Sequence, residues 1–203
     1  MQNQAMVKKR TAFILLSFLF TIVSIAQTTK HVTDHLKVPG PIVFEKKAYN
    51  LSWSSHPAAD LYKQEYLVKG DKAEAYKTML LIDVITGDAM LRDIVVAKMA
   101  ELNKLKATNP LINYQAFDNS KSGEFMLDFI VSANDPDGHV NIVERNVYRY
   151  KILTGKTGIL LFGVSTRSYG AEIEKFLIAL KTNKNVLVNA VGKFQLPQIT
   201  IPK

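Results

Sequence analysis

From Glu124 to Tyr150 apolar and polar residues alternate with a period of two, broken once by Asp135-Pro136-Asp137-Gly138. Such alternation marks strands that bury one face, and aspartate, proline and glycine in that order form a turn. The stretch predicts a long β-hairpin. Pairing Asn134 with His139 across a four-residue loop sets Glu124 opposite Arg149 and Asp128 opposite Arg145, two acid–base pairs on one face. The other face then pairs Phe125 with Tyr148 and Val131 with Ile142. A slip of one residue would send both sets to the wrong side.

Elsewhere the pattern changes period. Tyr49–Trp53 and Tyr62–Val68 are short β-rich runs, and Gly70-Asp71 offers a turn and cap to a short helix over 72–78, followed by the apolar strand Met79–Ile85. Gly87-Asp88 starts a second helix. Its Leu91, Val95, Met99, Leu102 and Leu105 share one face, and Asn109-Pro110 ends it. Thr154-Gly155-Lys156-Thr157 predicts another turn, and Gly158–Val164, apolar on both faces, a central strand. Ser168 is placed to cap a last helix with Ile173, Phe176, Leu177 and Leu180 on one face, and Val186–Val191 to form a final strand. Residues 27–47, with Pro39-Gly40-Pro41, read as a flexible N-terminal arm ending in an edge segment at Ile42–Phe44.

The fold class expected is α+β: one antiparallel sheet of about five to seven strands with two or three packed helices, a single domain over 48–203. The stretch Glu65-Tyr66-Leu67-Val68-Lys69-Gly70, a short helix, and Met79-Leu80-Leu81-Ile82-Asp83-Val84 resembles the layout of the PsbP/Mog1-like sandwiches. That resemblance implies a non-enzymatic accessory or assembly role and carries no functional residue with it.

The N-terminus adds an address. Lys8-Lys9-Arg10 precede an uncharged run, Thr11–Ile25, and Ser24-Ile25-Ala26 place small residues before Gln27. This is the pattern of a secretory signal peptide over 1–26, its apolar run of about fifteen residues being short of the roughly 20 that span a bilayer. The leader carries three of the 26 basic residues and none of the 18 acidic ones, so its removal takes the net charge from +8 to +5. A periplasmic or secreted protein follows. The chain has no cysteine, which excludes thiol nucleophiles, thiolate metal sites, disulfides and a thiol-linked lipid. No dense basic run interleaved with aromatics suggests nucleic acid.

Familiar chemical motifs are incomplete. Gly155-Lys156-Thr157 lacks the glycine of a phosphate loop, Tyr150 standing in its place. The Asp135–Gly138 turn lacks the distal ligands of a calcium loop. His31 and His35, four apart with Asp34 between them, could share zinc only if the arm were helical; His56 and His139 stand alone. Gly163-Val164-Ser165-Thr166-Arg167 lacks the closing glycine of a hydrolase elbow. No cofactor, metal or catalytic set is assigned.

One place is chemically odd. On the apolar face of the hairpin's second strand, Glu144 and Asn146 interrupt Val140, Ile142, Tyr148 and Tyr150. A buried carboxylate needs a partner. Setting Leu153 opposite Gly158 brings Glu144 level with Arg167 and Asn146 with Ser165, gathering Glu144, Asn146, Ser165, Arg167, Ser168 and Tyr169 near the start of the last helix. These six are the candidate ligand-binding residues, for a small polar or anionic ligand; the plainer reading is a structural ion pair.

The leading function is an exported, non-catalytic accessory or binding protein of the bacterial envelope, its partner another envelope protein or a surface polymer. The alternative is a small envelope hydrolase or ligand-binding enzyme using Glu144 beside Arg167. A third reading, attraction to acidic membranes through Lys63, Lys69, Lys72 and Lys77, competes with an ordinary solvated surface; otherwise the membrane is met only through the leader.

Overall fold

The computed structural model describes residues 32–153 and 157–201. The leader and the Gly155-Lys156 motif lie outside the described residues. Eight strands form one antiparallel sheet among the described residues: β1 (Ile42–Phe44), β2 (Lys47–Ala58), β3 (Leu61–Val68), β4 (Thr78–Thr86), β5 (Asn113–Asn119), β6 (Glu124–Asn134), β7 (Val140–Ile152) and β8 (Gly158–Tyr169). Their spatial order is β1-β2-β3-β4-β8-β7-β6-β5, two four-stranded meanders joined where β4 meets β8. Each meander is followed by one helix, α1 (Leu91–Lys106) or α2 (Ile173–Lys193).

The sheet is thus wider than the five to seven strands expected, and two helices flank it. β5 escapes the sequence because Asn-Tyr-Gln-Ala-Phe-Asp-Asn has no β-branched residue and, as an edge strand, leaves most of its side chains exposed. Residues 72–78 form turns leading into β4 and not a helix; so short a segment does not sustain one without tertiary support, and here Tyr76 is drawn into the core. Val186–Val191 continues α2 and is not a strand, because Leu187, Val188 and Val191 pack on the sheet in helical period. Packing overrides the poor helix formers Thr182, Asn183 and Asn185.

Each face of the sheet has its own core. One is covered by α2 and the chain ends: Leu80, Ile82, Val84, Val147, Phe162 and Val164 meet Val191. The part of the arm that is described belongs here too, with Leu36, Val38, Ile42 and Phe44 buried. It is fastened by Asp34, whose Oδ1 accepts from the Leu36 and Val38 amides and from Gln64 Nε2 at 2.7 Å. Asp34 is therefore a tether and the segment from it to β1 is packed, not flexible. The opposite core holds Met79, Leu81, Leu127, Phe129, Tyr148 and Ile159 beneath Leu91, Val95 and Leu102 of α1. On α1 the buried face takes in Lys98 where Met99 is half-buried, and Leu105 is exposed as the helix runs off the sheet.

The β6–β7 hairpin keeps the expected faces with pairing moved by two residues. Glu124 lies opposite Lys151, Phe125 opposite Tyr150 and Val131 opposite Glu144, with an irregularity after Ala133. A shift of two preserves which side each residue faces. The acid–base pairs therefore survive as diagonals, Arg145–Asp128 and Arg149–Glu124, each at 2.9 Å. The turn itself is held by Asp135 Oδ1, which accepts from the Asp137 and His139 amides. Both arginines also donate to α2 and the residue after it: Arg145 to the Lys184 carbonyl, and Arg149 to the Phe194 carbonyl at 2.9 Å. Only Arg149 stands at the end of α2, where a cation offsets the unsatisfied carbonyls; Lys184 lies mid-helix, and Arg145 fastens the helix there to β7.

Candidate functional site

The β7–β8 register follows expectation: Glu144 pairs with Arg167, Asn146 with Ser165 and Ile152 with Ile159. Strand alternation then turns Glu144, Asn146, Ser165, Arg167 and Tyr169 to the α1 side of the sheet. Ser168 faces the other way and is buried there. It caps nothing; α2 begins at Ile173 after a single 3-10 turn, with Glu172 at its cap and no side-chain cap bond. The expected anion site at that helix start is not built from these residues.

Glu144 and Asn146 are 3% and 0% exposed. Glu144 Oε2 accepts from Arg167 Nε and from the Tyr76 hydroxyl at 2.6 Å. The Arg167 guanidinium lies over the Tyr76 ring at 4.2 Å, and the Tyr169 hydroxyl donates to the Tyr76 carbonyl at 2.8 Å. The Ser165 hydroxyl donates to Asn146 Oδ1. Among the described residues, Glu144 Oε1 and Asn146 Nδ2 have no hydrogen-bond partner. Burial, then the Glu144 charge, pushes the Tyr76 phenol well above its usual range. Burial acts to lower Arg167, but Glu144 outweighs it and the net direction is up.

The ion pair the sequence anticipates is thus present, with a third member it does not show. Tyr76 is buried at the end of a turn, 68 residues from Glu144. Its one sequence signal is a lone aromatic in an otherwise polar connection. The chemistry is that of a clasp: a carboxylate matched by a guanidinium and a phenol, fixing residues 73–77 onto the sheet.

The same side carries further charged groups. Lys63 meets Asp83 at 3.1 Å, and Lys98, 5% exposed, meets Glu101 at 3.1 Å and lies 5.2 Å from the Phe129 ring centre. Desolvation lowers the Lys98 amine and raises the Asp83 carboxyl. Glu65 is pushed up to about 6, by burial first and by the Asp83 carboxylate next. His35 lies against His56 and Tyr62, and His56 stacks on Tyr62 at 4.1 Å; His31, the other half of the zinc reading, lies outside the described residues. No group of three potential metal ligands is assembled among the described residues.

Open space lies elsewhere. A groove of about 730 Å³ runs between the first half of α1 and the sheet, lined by Leu91, Val95, Val96, Met99, Phe125 and Ile152. Asp88, Arg92 and Asp118 border it. A smaller cavity of about 280 Å³ lies between β2 and β3 near Gly70. Neither is lined by any of the six candidate residues. No described helix is long and apolar enough to cross a membrane.

A protein-family model matches residues 36–196, from the buried Leu36 through every strand and both helices. The chain belongs to that family. The family is uncharacterised, and its match bears neither way on the PsbP/Mog1-like resemblance. No curated protein and no solved structure matches the chain.

Proposed function

We propose that this protein is an exported binding or accessory protein of the bacterial envelope, and that the groove under α1 is where it binds. The groove carries the proposal. Its volume of about 730 Å³ falls in the range of small-molecule sites, which are mostly apolar clefts with a few polar groups. Its walls are apolar, while Met90 at its border is 64% exposed and Val96 49% exposed. Two methionines, Met90 and Met99, give it a deformable surface. The leader pattern of residues 1–26 supports export. The Glu144 cluster serves in this reading as the clasp that holds the sheet's α1 side together.

The test uses N-phenyl-1-naphthylamine, an uncharged apolar fluorophore, with the purified protein. Saturable binding that Val96→Glu weakens at least tenfold, with the melting temperature unchanged, supports the groove. Equal binding by Val96→Glu, or no saturable binding, refutes it. Mass spectrometry of the protein recovered from an expressing cell's envelope checks export: an N-terminus at Gln27 is expected, and an intact Met1 in the cytoplasm would contradict it.

A further inference from the structure

We infer that His35 and His56 together bind a late divalent transition metal, Zn²⁺, Ni²⁺ or Cu²⁺, which joins the N-terminal arm to β2. The pair lies with Tyr62 on the α2 side of the sheet, so the inference is independent of what the groove under α1 binds.

His56 stands exposed near the end of β2. Its Nδ1 lies 2.9 Å from the Leu61 carbonyl. A carbonyl can only accept, so Nδ1 carries the ring proton and Nε2 of the neutral ring keeps its lone pair. Ligating histidines are held in the same way, the nitrogen away from the metal donating to a backbone carbonyl or a carboxylate. The ring is also fixed flat against Tyr62, with 4.1 Å between centres and 5° between planes.

His35 comes from the arm, which is pinned on both sides of it. Ser54 donates to the Thr33 carbonyl, Gln64 to Asp34, and the Thr200 amide to the Leu36 carbonyl at 2.7 Å. The His35 side chain is half-buried and, among the described residues, makes ring contacts only, with His56 and Tyr62. That packing uses neither of its nitrogens. The two imidazole centres are 6.0 Å apart. Two imidazoles on one ion, with metal–nitrogen bonds of about 2.0–2.1 Å, have their centres roughly 5–6 Å apart. A rotation of the His35 side chain is all that brings both lone pairs onto one ion. With no cysteine in the chain, nitrogen decides the metal, and imidazole suits zinc, copper and nickel where carboxylates suit magnesium and calcium. Two protein ligands leave the other positions to water.

Isothermal titration of the purified, tag-free protein with Zn²⁺ tests it, with His35→Phe, His56→Phe and the exposed His139→Phe as variants. Phenylalanine keeps a ring at each place and removes the donor. The wild type is expected to bind one Zn²⁺ saturably, to melt at a higher temperature with it, and to show neither effect with Mg²⁺. His35→Phe and His56→Phe are each expected to weaken Zn²⁺ binding at least tenfold while melting as wild type without metal; His35→Gln and His56→Gln replace either one that melts early. His139→Phe is expected to bind as wild type. No saturable Zn²⁺ binding overturns the inference. So does binding that survives the change at either His35 or His56, or binding weakened equally by His139→Phe.

Discussion

Removing Glu144 tests whether the clasp is structural. The carboxylate and the Arg167 side chain are 4% and 11% exposed, so solvent screening does little to discount the pair. Glu144→Ala leaves a buried guanidinium without its counter-charge and takes the acceptor from the Tyr76 hydroxyl. Breaking a buried pair from one side costs about 3–5 kcal/mol. With a urea m-value of about 2–3 kcal/mol/M for a domain of this size, the midpoint should fall by roughly 1.5 M at constant m. Tyr76→Phe keeps the ion pair and loses one hydrogen bond to a charged group, about 1.5–3 kcal/mol. The double variant Glu144→Ala/Arg167→Ala should cost less than the sum of its parts by about 1 kcal/mol or more, since the second change removes the stranded charge. Equilibrium urea unfolding followed by far-UV circular dichroism reads the wild type, Tyr76→Phe, Glu144→Ala, Arg167→Ala and the double variant. A midpoint for Glu144→Ala within about 0.3 M of wild type, or additive single changes, would refute the clasp. Unchanged fluorophore binding by folded Glu144→Ala is expected alongside, since the groove lies apart from it.

Three further predictions rest on separate residues. Glu65 ionises at about 6 in the fold against 4.5 as a free side chain, so the folded state binds the proton more tightly. Stability should therefore fall by about 2 kcal/mol as pH rises from 4.5 through 6; Glu65→Gln should regain that at pH 7 and flatten this part of a urea-midpoint profile. At Gly163 an added Cβ would lie 2.9 Å from two ring carbons of Tyr148, so Gly163→Ala should cost about 1–3 kcal/mol, and a neutral result by thermal unfolding would mean the ring moves freely. Arg149→Lys should fail to replace arginine, because one ammonium cannot serve both Glu124 and the Phe194 carbonyl; a melting temperature equal to wild type would show that the fork is dispensable.

The features legible in the sequence are those written in short-range periodicity. The β7–β8 register, the buried Glu144 beside Arg167, and the faces of the β6–β7 hairpin all follow from alternation and from the cost of burying charge. The two-residue shift in that hairpin does not, because a shift of two leaves every face unchanged and only the turn's own hydrogen bonds discriminate. β5 lacks a pattern because an edge strand buries too little to need one. The clasp's third member, Tyr76, depends on a contact 68 residues away, and no local rule carries that. Asp34 likewise looks like part of a polar arm until Gln64 is set beside it. The groove under α1 is formed by residues from β4–α1, β5, β6 and β7 that no spacing rule gathers.

The joining of two meanders at β4 and β8 gives the chain two clocks. Within each meander the neighbours follow one another directly, and such contacts close quickly. The seam instead joins residues as far apart as Thr78 and Thr166, and a long loop must close before it gains anything. During synthesis β4 emerges with no strand on its far side, carrying the nearly unbroken apolar run Met79–Ile85. Roughly 70 residues separate its end from the start of β8, which at about 5–20 residues per second leaves that edge open for roughly 4–14 s. An unpaired apolar edge is where chains associate wrongly. The interval before β8 arrives is when this protein most needs a chaperone, and slowing translation between residues 87 and 157 should raise its aggregation more than slowing it anywhere else.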